Sequence, residues 1–216
     1  PYVVGYPYFP FYFHGLTYSL AVKIAAKRIK KDFNFDIIHA HTGYLDGSAG
    51  RHLSKRFNAP LVITEHIGPF SMLTDKQIIR QMTIKSLSSA DKVICVSKSL
   101  QDDVLKWLPE ESKVRCLTLQ NGVDTNLFRP PDVKKDVKKK DDAIKLLSVI
   151  SLDENKNPFS LLEAFITLRA SYKNITLKIA GDGPLREPLQ RKIEEAGLRD
   201  SVKLLGWQLR EEIVRL

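Results

Sequence analysis

Three short apolar runs decide the fold of the first half of the chain: DIIHAH at Asp36–His41, PLVITEH at Pro60–His66 and KVICVS at Lys92–Ser97. Segments with helical spacing of apolar residues lie between them, as at Asp75–Leu87. Continuous apolar strands that alternate with amphipathic helices are typical of a parallel sheet covered on both faces. The pattern therefore predicts an α/β domain, with Val114–Leu119 as a fourth strand.

The same alternation begins again in the last third of the chain. The predicted strands are Lys145–Ile150, Ile175–Ala180 and Val202–Leu205, and the predicted helices are Pro158–Tyr172 and Leu185–Ala196. Pro158 suits the first turn of a helix, and Gly197 suits the position after one. The apolar side of the first of these helices is predicted to contain Leu161, Leu162, Phe165, Ile166 and Leu168.

A basic, proline-containing segment, FRPPDVKKDVKKKDD, separates the two alternating patterns. We therefore predict a first Rossmann-like domain over residues 1–127 that lacks its start, a linker over 128–142, and the beginning of a second domain over 143–216. Five linker lysines contribute to the formal net charge of +9, namely Lys134, Lys135, Lys138, Lys139 and Lys140. A solvated linker is the simpler interpretation, and a patch facing an anionic membrane is the alternative.

Composition and cysteine use exclude several classes of protein. With 43% hydrophobic and 27% charged residues, the chain is ordinary for a globular protein. Cys95 and Cys116 each lie in an apolar run and are predicted to be buried free thiols in a reducing compartment. No spacing typical of a metal site, no apolar run of about 18 residues and no basic signal segment is present. We expect both ends, Pro1 and Leu216, to be incomplete.

Polar and glycine residues follow the predicted strands. In open α/β sheets, ligands bind at the carboxyl ends of the strands, so these residues are the candidates for a site. They are His39, His41, Glu65, His66, Ser97, Asn121, Gly122, the stretch from Ser151 to Lys156, Gly181, Asp182, Gly183 and Gly206.

Five motifs in the same order resemble glycosyltransferase family 4. They are DIIHAH, VITEH, ADKVICVSKSL, QNGVDTNLFRP and IAGDGPLREPL followed by VKLLGW. The resemblance implies the GT-B fold, with two Rossmann-like, doubly wound domains and the reaction in the cleft between them. It further implies that the second domain binds a nucleotide-diphosphate sugar, that the first binds the acceptor, and that transfer proceeds with retention and without a metal ion or other cofactor.

The resemblance assigns His66 to the reacting centre, and Ser151, Asn121 and Gly122 to donor binding. Lys156 also has a physical argument, because a cation before a helix N-terminus suits a phosphate. The donor side further includes Gly181, Asp182, Gly183 and Gly206. This chain has Ile150-Ser151 where the family commonly has Gly-Arg, and a hydroxyl brings no charge to a phosphate site.

Other residues keep alternative interpretations. His39 and His41 are two apart on a strand and so share a face; packing or contacts to the acceptor are favoured over a metal. Gly181-Asp182-Gly183 and Asn121-Gly122 can also be simple turns. Seven N-terminal aromatic residues either pack on their own domain or form a platform for an acceptor, namely Tyr2, Tyr6, Tyr8, Phe9, Phe11, Tyr12 and Phe13.

The favoured function is transfer of a sugar from a nucleotide-diphosphate donor to a glycan or lipid-linked acceptor. We expect a cytoplasmic protein that takes part in cell-surface polysaccharide or glycolipid synthesis, with a peripheral position at the inner membrane face as the option that the basic linker suggests. The alternatives are a non-catalytic GT-B scaffold with a degenerate donor site, suggested by Ser151, and a GT-B sugar-nucleotide epimerase. A nucleic-acid binder is not supported, because the basic cluster lies in a linker without interleaved aromatic residues.

Overall fold

The computed structural model describes residues 14–129 and 143–216. The chain divides into two compact units, with the boundary between Gly122 and Val123, and each unit has its own parallel sheet and core. The sequence placed the end of the first domain at residue 127. The N-terminal aromatic residues and the linker lysines lie outside the described residues, so the roles considered for them stay predictions.

The first unit is built on a four-stranded sheet. Its elements are α1 (His14–Asp32), β1 (Ile38–His41), α2 (Leu45–Phe57), β2 (Leu61–Glu65), α3 (Ser71–Thr74), α4 (Gln77–Ser89), β3 (Lys92–Cys95), α5 (Lys98–Leu105), α6 (Glu110–Lys113) and β4 (Cys116–Thr118). The strands pair in the order β1-β2-β3-β4, all parallel. Because parallel strands end at one edge, the residues that follow them meet there.

The core of the first unit includes the apolar residues of its strands. Leu61 and Ile63 of β2 are fully buried. The helix α2 approaches this strand closely through small residues, since a Cβ atom on Gly50 would lie 2.9 Å from Leu61 Cδ1. Cys95 and Cys116 are buried free thiols, as predicted, with their sulfur atoms 3.8 Å apart. The Cys116 hydrogen bond and burial raise the pKa of the Cys95 thiol.

The second unit repeats the strand–helix alternation around three strands. Its elements are β5 (Ile144–Val149), α7 (Pro158–Ser171), β6 (Ile175–Ala180), α8 (Arg186–Glu195), β7 (Val202–Gly206) and α9 (Arg210–Arg215). The strands pair in the order β5-β6-β7, all parallel. Pro158 begins α7 as predicted, and the side chain of Asn157 caps that helix by accepting a hydrogen bond from Ser160 N. The predicted parallel α/β architecture is confirmed.

The helices differ from the prediction in two respects. Helix α1 was not predicted, and its apolar side chains do not form one buried stripe, since Leu20 is 60% and Ile24 is 47% exposed. Ile166 and Leu168 were predicted on the apolar side of α7 but are exposed. At about 100° a residue they lie at the two edges of the apolar arc, and only its middle faces the sheet. None of the helices in the described ranges is long and apolar enough to cross a membrane.

Candidate functional site

Three histidines from two neighbouring strands lie together at the carboxyl edge of the first sheet. His39 and His41 share one face of β1, as predicted, with their ring centres 4.4 Å apart. His66 directly follows β2, and its Nε2 lies 2.9 Å from His41 Nδ1. His39 Nε2 is 2.8 Å from Thr64 Oγ1. The structure thus joins in one cluster the residue that the resemblance assigned to the reacting centre, His66, and the two considered for acceptor contacts, His39 and His41.

Glu65 holds the main chain around this cluster, and the sequence analysis noted it only as a strand-end residue. Its side chain is fully buried. One carboxylate oxygen accepts a hydrogen bond from Gly43 N at 2.8 Å, and the other accepts from His66 N at 3.0 Å and Ile67 N at 2.9 Å. A buried carboxylate needs such partners. The signal available in the sequence was an acid at the end of an otherwise apolar strand.

Burial shifts the pKa of one acidic and one basic group at this edge, Glu65 and His39. It raises the pKa of Glu65, while hydrogen bonds from the Ile67, Gly43 and His66 amides oppose the rise. Burial also lowers the pKa of His39, with smaller contributions from the charges of His41 and His66. Within residues 14–129 and 143–216, no group of three or more His, Cys, Asp or Glu side chains is arranged to hold a metal ion.

At the carboxyl edge of the second sheet, two glycines allow close contact between the main chains of neighbouring loops. A Cβ atom on Gly181 would lie 1.8 Å from Ile150 O, and one on Gly183 would lie 2.4 Å from Leu152 O. Both glycines have positive φ, +142° and +157°. Leu152 N donates to Asp182 O at 3.0 Å, and Gly181 N donates to Gly206 O at 2.7 Å. The loops after β5, β6 and β7 are therefore locked together.

A cavity of about 290 Å³ opens at this edge. It is lined by Val149, Ile150, Ser151, Ala180, Gly181, Asp182, Trp207, Gln208 and Ile213. Trp207, which is 70% exposed, Gln208 and Ile213 were missed by the sequence analysis. The rule that ligands bind after strands points to Trp207, which directly follows β7. Of the other predicted residues, Gly183 and Gly206 shape the neighbouring loops without lining the cavity.

The loop after β5 is organised around Asp153. Ser151 Oγ donates to Asp153 Oδ2 at 2.5 Å, and Lys156 N donates to Asp153 Oδ1 at 3.1 Å. The Ser151 hydrogen bond, followed by that of the Lys156 amide, lowers the pKa of Asp153. Lys156 is exposed two residues before the first turn of α7. Lys156 thus precedes the N-terminus of α7 in the chain, while the Ser151 hydroxyl donates within its own loop.

Two further predicted residues follow the last strand of the first unit. Asn121 and Gly122 are exposed and follow β4 in a stretch that forms no turn. A Cβ atom on Gly122 would meet no atom within 4 Å. The structure therefore gives the Asn-Gly pair neither the positive φ that its sequence favours nor packed neighbours.

Comparison with known families agrees with this architecture. A family model described as Glycosyltransferase Family 4 matches residues 1–127, and one described as Glycosyl transferases group 1 matches residues 131–216. The chain belongs to glycosyltransferase family 4.

Relatives of this family 4 chain include glycolipid enzymes. It is 24% identical to the alpha-monoglucosyldiacylglycerol synthase of Streptococcus pneumoniae over 94% of this chain and 49% of that one. It is 29% identical to the GPI3 subunit of the Saccharomyces cerevisiae phosphatidylinositol N-acetylglucosaminyltransferase over 67% of this chain and 32% of that one. The chain spans about half the length, or less, of these curated relatives.

Solved structures of GT-B glycosyltransferases have the same fold as this family 4 chain. Anabaena HepE in complex with UDP and glucose matches with a TM-score of 0.69 at 20% identity, covering 96% of this chain and 56% of HepE. Staphylococcus aureus TarM, as a mutant in complex with UDP among other ligands, matches with a TM-score of 0.65 at 15% identity, covering 87% and 37%. At these identities the likeness concerns the fold, which is of the predicted GT-B type.

Proposed function

We propose that this glycosyltransferase moves a hexosyl group from a nucleotide-diphosphate donor to a glycan or lipid-linked acceptor with retention. The observation that carries the proposal is the cavity at the carboxyl edge of β5–β7. Its exposed Trp207 offers a flat apolar face to a nucleobase, and the surrounding loops offer main-chain polar groups. The UDP named in the HepE and TarM complexes supports a nucleotide as the ligand.

The diphosphate is proposed to lie near Lys156 and the N-terminus of α7. Negative charge grows on the leaving phosphate as its bond to the anomeric carbon breaks. An ammonium group and the positive end of a 14-residue helix both stabilise that charge. The acceptor oxygen bonds to the anomeric carbon, and its proton leaves with the diphosphate. No resident metal or cofactor is needed in this scheme.

The first unit is proposed to supply His66 to the reacting sugar, and His39 and His41 to the acceptor side. These roles are carried over from the resemblance to family 4. The acceptor class is supported by the diacylglycerol named in the Streptococcus relative. We further propose a cytoplasmic protein that contacts the inner membrane face peripherally and serves cell-surface polysaccharide or glycolipid synthesis.

Thermal unfolding with a panel of nucleotides tests this proposal. UDP, GDP, ADP and their sugar conjugates are each added to the chain with a divalent metal or with a chelator. A ligand that binds only the native state stabilises it by about 2.7 kcal/mol at a hundredfold excess over Kd. We expect one nucleotide family to raise Tm equally with metal and with chelator. Trp207→Ala should abolish the shift, whereas Trp107→Ala, in the first unit, should retain it.

A non-catalytic GT-B protein is the second candidate, and one observation favours it. Ser151 stands where the family commonly has arginine, and its hydroxyl donates to Asp153 instead of being free for a phosphate. The absence of any nucleotide shift in the panel would favour this candidate. Gain of a shift in Ser151→Arg would then identify the missing cation as the cause.

We also propose that the 216-residue chain alone transfers no sugar. The curated relatives named above are about twice its length or longer, so groups needed for turnover are expected outside it. Release of nucleotide diphosphate from a sugar donor, measured with the purified chain and a lipid-linked acceptor, checks this. Turnover well above that of a Lys156→Ala variant would contradict it.

A further inference from the structure

The contact between His41 and His66 is a linear hydrogen bond in the plane of both rings. The two ring planes are inclined by only 19°, and their centres are 5.2 Å apart. That separation matches the 2.9 Å between His41 Nδ1 and His66 Nε2 plus one ring radius at each end. Both nitrogens must therefore lie close to the line that joins the ring centres, which is the favoured geometry for N–H···N.

The choice of nitrogens decides which ring donates. A neutral imidazole carries its proton on one nitrogen and accepts with the other. If His66 Nε2–H donates to His41 Nδ1, both rings hold the Nε2–H tautomer, which is the more stable one for a histidine side chain. The reverse direction would require the less stable tautomer in both rings. The tautomer preference thus favours His66 as the donor, which leaves its Nδ1 as the acceptor nitrogen.

The ring and the main chain of His66 are held by different groups. Glu65 fixes the main chain by accepting from His66 N and Ile67 N. The hydrogen bond to His41 is the ring's polar contact within the described residues. His41 is in turn packed against His39, which is hydrogen-bonded to Thr64. A change at His41 should therefore alter the ring of His66 without moving its backbone.

We propose that His41 is the positioning residue of His66. It accepts the Nε2 proton of His66, fixes that ring's tautomer and orientation, and so keeps Nδ1 as the nitrogen that receives a hydrogen bond from a ligand hydroxyl. The consequence for sugar transfer rests on the proposed function, but the hydrogen bond itself does not.

Nuclear magnetic resonance of the chain labelled with ¹⁵N-histidine tests the hydrogen bond directly. The five histidines can be assigned by single variants. We expect a scalar coupling between His41 Nδ1 and His66 Nε2, with the proton attached to His66. His52 gives an internal reference for the other tautomer, because its Nδ1 lies 2.7 Å from the carbonyl oxygen of Ser48 and must donate. Absence of the coupling, or a proton attached to His41 Nδ1, would overturn the proposal.

Two variants distinguish a loss of the orientation of the His66 ring from a general loss of structure. His41→Phe keeps a ring against His39 but has no acceptor, so the ring nitrogens of His66 should average between tautomers. In His41→Asn, the amide oxygen is bonded to Cγ, like the imidazole Nδ1 that it replaces. It can accept the Nε2 proton of His66 and should restore a single tautomer. The amide signals of Gly43 and Ile67 should not move in either variant, because Glu65 still holds them. An unchanged His66 ring in His41→Phe would contradict the role of His41.

In a full-length protein with measurable transfer, kcat and KM give the functional test. His41→Phe should lower kcat by about 10- to 100-fold, the size expected for a misplaced reacting group, and leave KM for the donor unchanged. His41→Asn should recover most of kcat. A change in KM alone would oppose positioning. If the wild-type protein shows no transfer, the proposed function fails while the coupling experiment still decides the role of His41.

Discussion

Thr42, the residue that follows His41, has the most demanding backbone conformation in the histidine cluster. Its φ is +91°, although β-branched residues rarely adopt positive φ. Thr42 N donates to Thr64 O at 2.8 Å, and Thr42 O accepts from Gly47 N at 2.9 Å. Strain of about 1–3 kcal/mol persists only where surrounding contacts impose it, and it is concentrated at functional sites. Its place beside three histidines supports a functional edge on the first sheet.

Glu65→Gln should destabilise the protein by about 1–3 kcal/mol, since a buried donor is left without a partner. In either orientation, the amide NH₂ of glutamine faces a backbone N–H that the carboxylate now satisfies. Urea unfolding at neutral pH measures the loss. Glu111→Gln, at an exposed position of the same unit, should stay within about 0.5 kcal/mol of wild type. Equal midpoints for the two variants would contradict the role given to Glu65.

Stability should fall on acidification through the ordinary histidine pKa, near 6.5, because of His39. Burial lowers its pKa in the folded protein, so the unfolded chain takes up the proton first and is favoured as the pH falls. The raised pKa of Glu65 acts in the opposite sense, but equally in wild type and variant. Urea midpoints at about pH 7.5 and about pH 5.5 should therefore differ less in His39→Gln than in wild type. A larger difference in the variant would show the sign to be wrong.

At the scale of elements, the sequence was informative where burial is complete. The strands of both sheets are short apolar runs, and all seven in the described residues were predicted; those of β2 and β6 are the most completely buried. The failures concern partial burial. The helix α1 exposes Leu20 and Ile24, and α7 exposes Ile166 and Leu168, so hydrophobicity there does not report which side faces the core. Which apolar residues stay at the surface depends on the tertiary packing.

Gly181→Ala should disrupt the second unit far more than its positive φ alone would. The added Cβ would collide with Ile150 O, a backbone atom that β5 holds in place. Gly197→Ala is the matched control, because Gly197 also has positive φ, +67°, but no atom within 4 Å of an added Cβ. We expect the control to lose about 1 kcal/mol and Gly181→Ala to lose several times more in urea unfolding. Similar losses would mean that the loops separate easily.

At the scale of the whole molecule, the alternative interpretation of the five linker lysines, a patch that faces an anionic membrane, can be tested separately from the net charge of +9. Replacing the five linker lysines with glutamine should weaken co-sedimentation with anionic vesicles, since each lysine near such a surface contributes about 1 kcal/mol. Replacing five exposed lysines elsewhere, Lys55, Lys92, Lys145, Lys173 and Lys203, makes the same change in charge. The linker variant should lose much more binding than this control. Equal losses would indicate that total charge, and not the cluster, is responsible.

The candidate sites were predicted less completely than the fold. Strand ends identified His39, His41, His66 and Gly181, because the topology of a parallel sheet fixes where they lie. The hydrogen bond between His41 and His66 depends on the register of β1 and β2, which no local pattern reveals. Ser151 shows a second limit, because its partner is Asp153 of its own loop. The residue type alone did not indicate that Asp153 would compete with a ligand for the hydroxyl of Ser151.

The contacts between the loops of the second unit also determine which residues of its cavity can be substituted. The walls around Ile150 and Gly181 consist of peptide groups in contact, and no side chain can be introduced there without displacing a strand. Trp207, Gln208 and Ile213 line the same cavity with side chains. Libraries intended to alter ligand preference should therefore leave Gly181 unchanged and vary residues whose side chains already line the cavity, such as these three. Natural divergence in specificity among proteins with these loops would be expected to spare the glycine and to occur at such side chains.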